Sequence, residues 1–305
     1  MPRHFSRRAF LARAGWAAGG AVAASCGPLP AIEPFSRSGK PILKLSLAAY
    51  SLRRFFQADR TAERALDMPG FIDYCASLGL DGAELTSYFF PESFDRDYLN
   101  DLKRRAHVAG LDISGGAIRN NFTHPAGERL DEDIAHTKKW IDHYAALGAP
   151  VIRIFAGSPP EGTSEEEAIR RCVPVIERVC EYAASRGVML ALENHDFTRD
   201  AGRMLQIVEA VESPWFGVNF DSGNFQSDDP YADMERIAPY AINAQIKTEI
   251  RTAGGRSGPA DLSRIVGILR DADYSGYIVL EYEAEENPYE AIPRHVEALR
   301  ELISA

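Results

Sequence analysis

Eight short apolar runs with amphipathic segments between them constrain the fold of this chain more than any other feature. The runs are Ile42–Tyr50, Gly82–Thr86, Asp112–Ile118, Val151–Ala156, Val188–Glu193, Phe216–Phe220, Ala241–Lys247 and Tyr277–Tyr282. They are apolar almost throughout, as parallel strands buried on both faces are. Phe71, Ile72, Tyr74, Cys75 and Leu78 recur at helical spacing. So do the apolar residues of Ile134–Leu147, Ile169–Ser185, Met204–Val211, Leu262–Leu269 and Tyr289–Leu302. Eight strand–helix units predict an α/β fold, a closed (β/α)8 TIM barrel rather than an open doubly wound sheet. The first strand lacks the Gly-rich turn of a dinucleotide site. Gly79 and Gly110 stand where two helices should end, the usual place for a C-cap.

The 305 residues suit one such barrel, which needs about 250, and residues 41–305 are assigned to it. Residues 1–26 read as a signal peptide. Ser6-Arg7-Arg8-Ala9-Phe10-Leu11 is a twin-arginine pattern, and a weakly apolar run follows from Ala14 to Ser25. Ala21-Val22-Ala23 offers a signal-peptidase site. Ala23-Ala24-Ser25-Cys26 is similar to a lipobox, with Ala23 where Leu is usual, so Cys26 is a candidate lipid-anchor position. Residues 27–40, with three prolines, read as a linker. The leader predicts export to the periplasm by a route that carries folded proteins. No run is long enough for a transmembrane helix. A net charge of -10 argues against a nucleic-acid partner. Cys172 and Cys180 lie eight positions apart on one predicted helix, about 12 Å along its axis and beyond disulfide reach. The sequence leaves open whether the chain forms a homo-oligomer.

Barrel enzymes place their chemistry at the C-terminal ends of the strands. Strand five ends in Leu192-Glu193-Asn194-His195 and strand six in Asn219-Phe220-Asp221-Ser222-Gly223-Asn224. Strand seven holds Gln245-Ile246-Lys247, strand eight Leu280-Glu281, and strand two Glu84. A carboxylate in an apolar strand is unfavourable unless it is paired or metal-bound. Glu193, Asp221 and Glu281, with Gln245 between the last two, can surround one cation. Such an oxygen-rich set suits Mg²⁺ or Mn²⁺. A single carboxylate of this kind reads as a surface residue at a strand end; the ordered set does not.

Taken in order, these motifs resemble the xylose-isomerase-like barrels, from about Pro41 to the C-terminus. That group includes sugar phosphate isomerases and epimerases, tagatose and psicose 3-epimerases, inosose dehydratases and abasic-site endonucleases. The resemblance implies a metal held by Glu, Asp, His and Glu, which fall here on Glu193, Asp221, Gln245 and Glu281. Gln245 departs from the pattern, because it offers an amide oxygen in place of an imidazole nitrogen. Co²⁺ and Zn²⁺, the alternatives to Mn²⁺ and Mg²⁺, thereby lose a preferred donor.

The implied chemistry is proton transfer next to a carbonyl of a sugar or keto-sugar, through an enediolate, with Glu193 and Glu281 moving the protons. Return of the proton to the same carbon gives an epimerase and to its neighbour an isomerase. Loss of a β-substituent gives a lyase, a dehydratase or a keto-glycoside-cleaving enzyme. His195, Lys247, Glu84, Asn120 and Tyr50 are expected to bind substrate; an ordinary hydrogen-bonded His195 and a solvated Lys247 are the plainer alternatives. Two further readings stand beside the sugar enzyme. One is a carbohydrate-binding envelope protein that lost full metal binding. The other is an abasic-site endonuclease, against which the histidine-poor strand ends speak.

Overall fold

The structure, a computed structural model, describes residues 32–56, 65–255 and 257–305. The leader, Cys26 and the first residues of the linker lie outside the described residues. The parallel strands β1 (Leu43–Ala48), β2 (Gly82–Thr86), β3 (Asp112–Ala117), β4 (Val151–Ile154), β5 (Met189–Glu193), β6 (Phe216–Asp221) and β7 (Ala241–Ile246) follow one another in sequence. A short antiparallel hairpin, β8 (Glu249–Arg251) and β9 (Ser257–Pro259), comes before β10 (Gly276–Leu280), the eighth barrel strand. β10 pairs with both β1 and β7 and closes the barrel. The expected (β/α)8 barrel is what the chain forms.

Helices cover the outside of the barrel, and polar side chains fix where many of them start. Asp67, Asp95, Ser164, Asp200, Asp229 and Asp261 each accept a hydrogen bond from a backbone N–H three residues on. That satisfies one of the free donors of each first turn. Gly79 and Gly110 follow the helices Met68–Ser77 and Arg96–Val108 with φ of 61° and 77°. This left-handed region favours glycine. Cys75, Cys172 and Cys180 are free and buried. Among the described residues no helix is long and apolar enough to cross a membrane.

Strand alternation positions the site. Asn219 and Asp221 of β6 point into the barrel, which turns Val218 and Phe220 toward the helix layer, where both are fully buried. Residues 32–40 form no helix or strand. They are nonetheless tied down at the start of β7. Phe35 N donates to Pro239 O (3.0 Å), and Arg37 Nη2 to Ala241 O (2.7 Å). That is the barrel end away from the C-terminal mouth.

Candidate active site

β7 sends Asn243, Gln245 and, just past its end, Lys247 toward the barrel axis at every second position. The two amides belong to a closed ring of hydrogen bonds. Asn243 Nδ2 donates to Glu84 Oε2 (2.9 Å) and Asn219 Oδ1 (2.8 Å). Asn219 Nδ2 donates to Gln245 Oε1 (2.7 Å), and Gln245 Nε2 to Glu84 Oε1 (2.6 Å). In its ionised form Glu84 only accepts, and it then faces the NH2 end of Gln245. Burial pushes the Glu84 carboxyl up to about 7, and the charge of Glu281 adds to this while the two amide donors oppose it.

Lys247 stands one layer higher. Its Nζ lies 2.9 Å from Glu281 Oε2 and 3.4 Å from Asp221 Oδ2, and it hydrogen-bonds Glu283 Oε1. Burial disfavours the ammonium, but Asp221, Glu281 and Glu283 more than reverse this and raise Lys247 above its ordinary value. Burial raises Asp221 and Glu281, with Lys247 opposing in both cases. Across the site Glu193 Oε2 meets Arg153 Nε at 2.6 Å, and Glu193 Oε1 accepts from Asn224 Nδ2 (2.7 Å). Arg153 is 5% exposed and also donates to Ile118 O and the Tyr88 hydroxyl. Asn194 braces β6 from β5. It donates to Asp221 O and accepts from Asp221 N, both at 2.9 Å.

These groups border a cavity of about 670 Å³ at the C-terminal mouth. Glu193, Glu281, Lys247, His195, Asn120 and Tyr50 line it. Three expected residues do not: Glu84, Asp221 and Gln245 lie beneath its floor, nearly or fully buried. Both oxygens of Glu84, the residue expected to bind substrate, are held by the amides of β7. Asn120 has also committed its amide. It donates to Phe155 O (2.7 Å) and accepts from Phe155 N (3.0 Å), which fixes the chain just past β4. His195 stacks against Phe155 with ring centroids 4.6 Å apart.

The cation site implied by the family pattern can be judged from its donors. Gln245 Oε1 accepts from Asn219, and Gln245 is absent from the cavity lining. Glu193 Oε2 and Asp221 Oδ2 have no hydrogen-bond partner, but each lies against a cationic side chain, Arg153 and Lys247 respectively. Among the described residues no group of three or more His, Cys, Asp or Glu side chains is placed to hold a metal ion. The donors as they stand do not fit a divalent cation.

A family model described as the xylose isomerase-like TIM barrel matches residues 72–302. The chain belongs to this family. A search of curated proteins gave no match. Solved structures show the same fold at low identity. One is the IolI protein with a bound zinc atom, with 16% identity, a TM-score of 0.69, and 86% of this chain and 98% of that one covered. Another is an L-ribulose 3-epimerase, with 16% identity, a TM-score of 0.68, and coverage of 86% and 94%. A third is a 3-keto-D-glucoside 4-epimerase from E. coli, with 15% identity, a TM-score of 0.65, and coverage of 86% and 100%.

The sequence assigns no role to Arg153, Tyr88, Asn224 or Glu283, although Asn224 ends the strand-six motif. Arg153 had a signal: it is the one charged residue inside Val151-Ile152-Arg153-Ile154, and the reasoning that picks out Glu193 applies to it equally. Glu283 continues the inward alternation of Glu281 by one step.

Proposed function

We propose that this family member is an isomerase or epimerase of a sugar or keto-sugar that works through an enediolate. The observation that carries this reading is that Glu193 and Glu281 open on one small-molecule cavity, from β5 and from the end of β10, each beside a cationic side chain. Glu193, ion-paired with Arg153, is placed as the base. It removes the proton from the carbon next to a substrate carbonyl. The C–H electron pair becomes the C=C bond of the enediolate, and the carbonyl oxygen takes the negative charge. Glu281, after taking up a proton from water, returns it to the opposite face and ends again as the carboxylate. Proton exchange with water resets the pair.

The similarity to an L-ribulose 3-epimerase and a 3-keto-D-glucoside 4-epimerase supports this choice of chemistry. One relative carries zinc. Here the donors are otherwise committed, so the mechanism contains no step through a metal. Cationic and amide side chains around the cavity offer donors suited to hydroxyl-rich ligands. The test is to incubate the purified chain with free sugars and keto-sugars and analyse the products by NMR. An epimer or aldose–ketose isomer supports the reading. An unsaturated or cleaved product moves the chain to the lyases, and no turnover across the panel argues for a carbohydrate-binding protein.

A further inference from the structure

Three independent features put the Lys247 ammonium where the family pattern would put a metal. The first is its company. Nζ lies within ion-pair distance of Asp221, Glu281 and Glu283, and its side chain is 13% exposed. The second is the space kept for its stem. A Cβ on Gly223 would lie 2.7 Å from Lys247 Cδ and 2.9 Å from Lys247 Cβ, so any other residue there would push the side chain aside. Ser222 Oγ meanwhile accepts from Lys247 N at 2.8 Å, which ties the end of β7 to β6. The third is Gln245. Its amide is locked into the ring with Asn219 and Glu84, below the cavity. A divalent ion bridging Asp221 and Glu281 would have to expel the ammonium from among its carboxylates.

We propose that Lys247 is the resident cation of this site and that it takes the place of the divalent metal, so the chain binds no such ion between Asp221 and Glu281. The binding half of this inference stands on the geometry alone; the catalytic half rests on the enediolate reading above. In that half, the C–H electron pair moves onto the substrate as Glu193 takes the proton. The carbonyl oxygen gains negative charge, and an N–H of Lys247 stabilises it without giving up its proton. Nζ hydrogen-bonds Glu283 and faces Glu281 and Asp221, and Lys247 also lines the cavity that a ligand would enter.

The experiment is a calorimetric titration of the chelator-dialysed full chain with Mn²⁺, which needs no substrate. The wild type is expected to show no stoichiometric binding up to millimolar Mn²⁺. Lys247→Ala, which empties the lane, is expected to bind Mn²⁺ at least tenfold more tightly than the wild type. Lys247→Met, which keeps the apolar stem, serves if the alanine variant does not fold. One Mn²⁺ bound per wild-type chain at micromolar affinity, and lost in Asp221→Asn, would overturn the proposal. So would unchanged Mn²⁺ binding in folded Lys247 variants. If the wild type binds no Mn²⁺ and yet turns over no sugar, the enediolate reading fails while the lysine site stands. If it binds Mn²⁺ and epimerises sugars, the reverse holds.

Discussion

Glu193 and Glu281 sit in the same cavity but against different cations, and this should separate their roles. Arg153 pairs with Glu193 from β4, whereas Lys247 shares itself between Glu281 and two other carboxylates. Replacing either glutamate by Gln keeps its size and removes its proton chemistry. Each variant should lower turnover by about 10²–10⁴-fold, the usual contribution of general acid–base catalysis. Glu193→Gln should also stop exchange of the carbon-bound proton with solvent, while Glu281→Gln should still exchange it. Steady-state rates and proton NMR check both.

Glu84 makes a different prediction, about stability. Its carboxyl moves from an ordinary 4.5 to about 7 in the folded chain. The folded state therefore holds this proton more tightly than the unfolded state. The contribution is full below pH 4.5 and is lost as pH rises through 7, which corresponds to on the order of 3 kcal/mol. Stability measured by thermal unfolding from pH 4.5 to 8 should fall less steeply in Glu84→Gln than in the wild type, with Asp221 and Glu281, also raised by burial, keeping the rest of the slope. At this scale the inward phase of Glu84, Gln245 and Lys247 was legible from the strand alternation. Their depth was not. Depth depends on the stagger between strands, and spacing along one strand carries no record of it.

Among the elements, the continuous apolar strands announced themselves because both faces are covered, and β2 starts and ends where its apolar run does. The helices Arg96–Val108 and Pro230–Ile237 did not. The first is largely charged and buries only Leu99, Leu102 and Ala106, and the second spans two turns. The β8–β9 hairpin, with Gly258 and Pro259 in so short a strand, carries no alternation to read. One packing dependence between elements is open to test. A Cβ on Gly116 in β3 would lie 2.1 Å from the ring of Tyr144, which is fully buried on the helix Glu128–Leu147. Gly116→Ala should therefore destabilise the chain by about 1–3 kcal/mol through overpacking. Urea unfolding measures it, and an unchanged midpoint would show that the helix can shift without penalty.

For the whole molecule, the barrel gathers groups from β4, β5, β6, β7 and the end of β10 at one mouth, and residues 32–40 are fastened at the opposite end. The leader before them is proposed to send the chain to the periplasm. Replacing Arg7 and Arg8 by Lys should leave the precursor in the cytoplasm, which cell fractionation would show; normal export of that variant would contradict the proposal. We propose that this barrel breaks and remakes a C–H bond beside a sugar carbonyl. The most direct measurement is wild-type turnover of a keto-sugar substrate in D₂O, followed by NMR and mass spectrometry of the product. One carbon-bound deuterium is expected at the position that changes configuration or receives the returned proton. Product formed with no deuterium there, at early and late times alike, would contradict it.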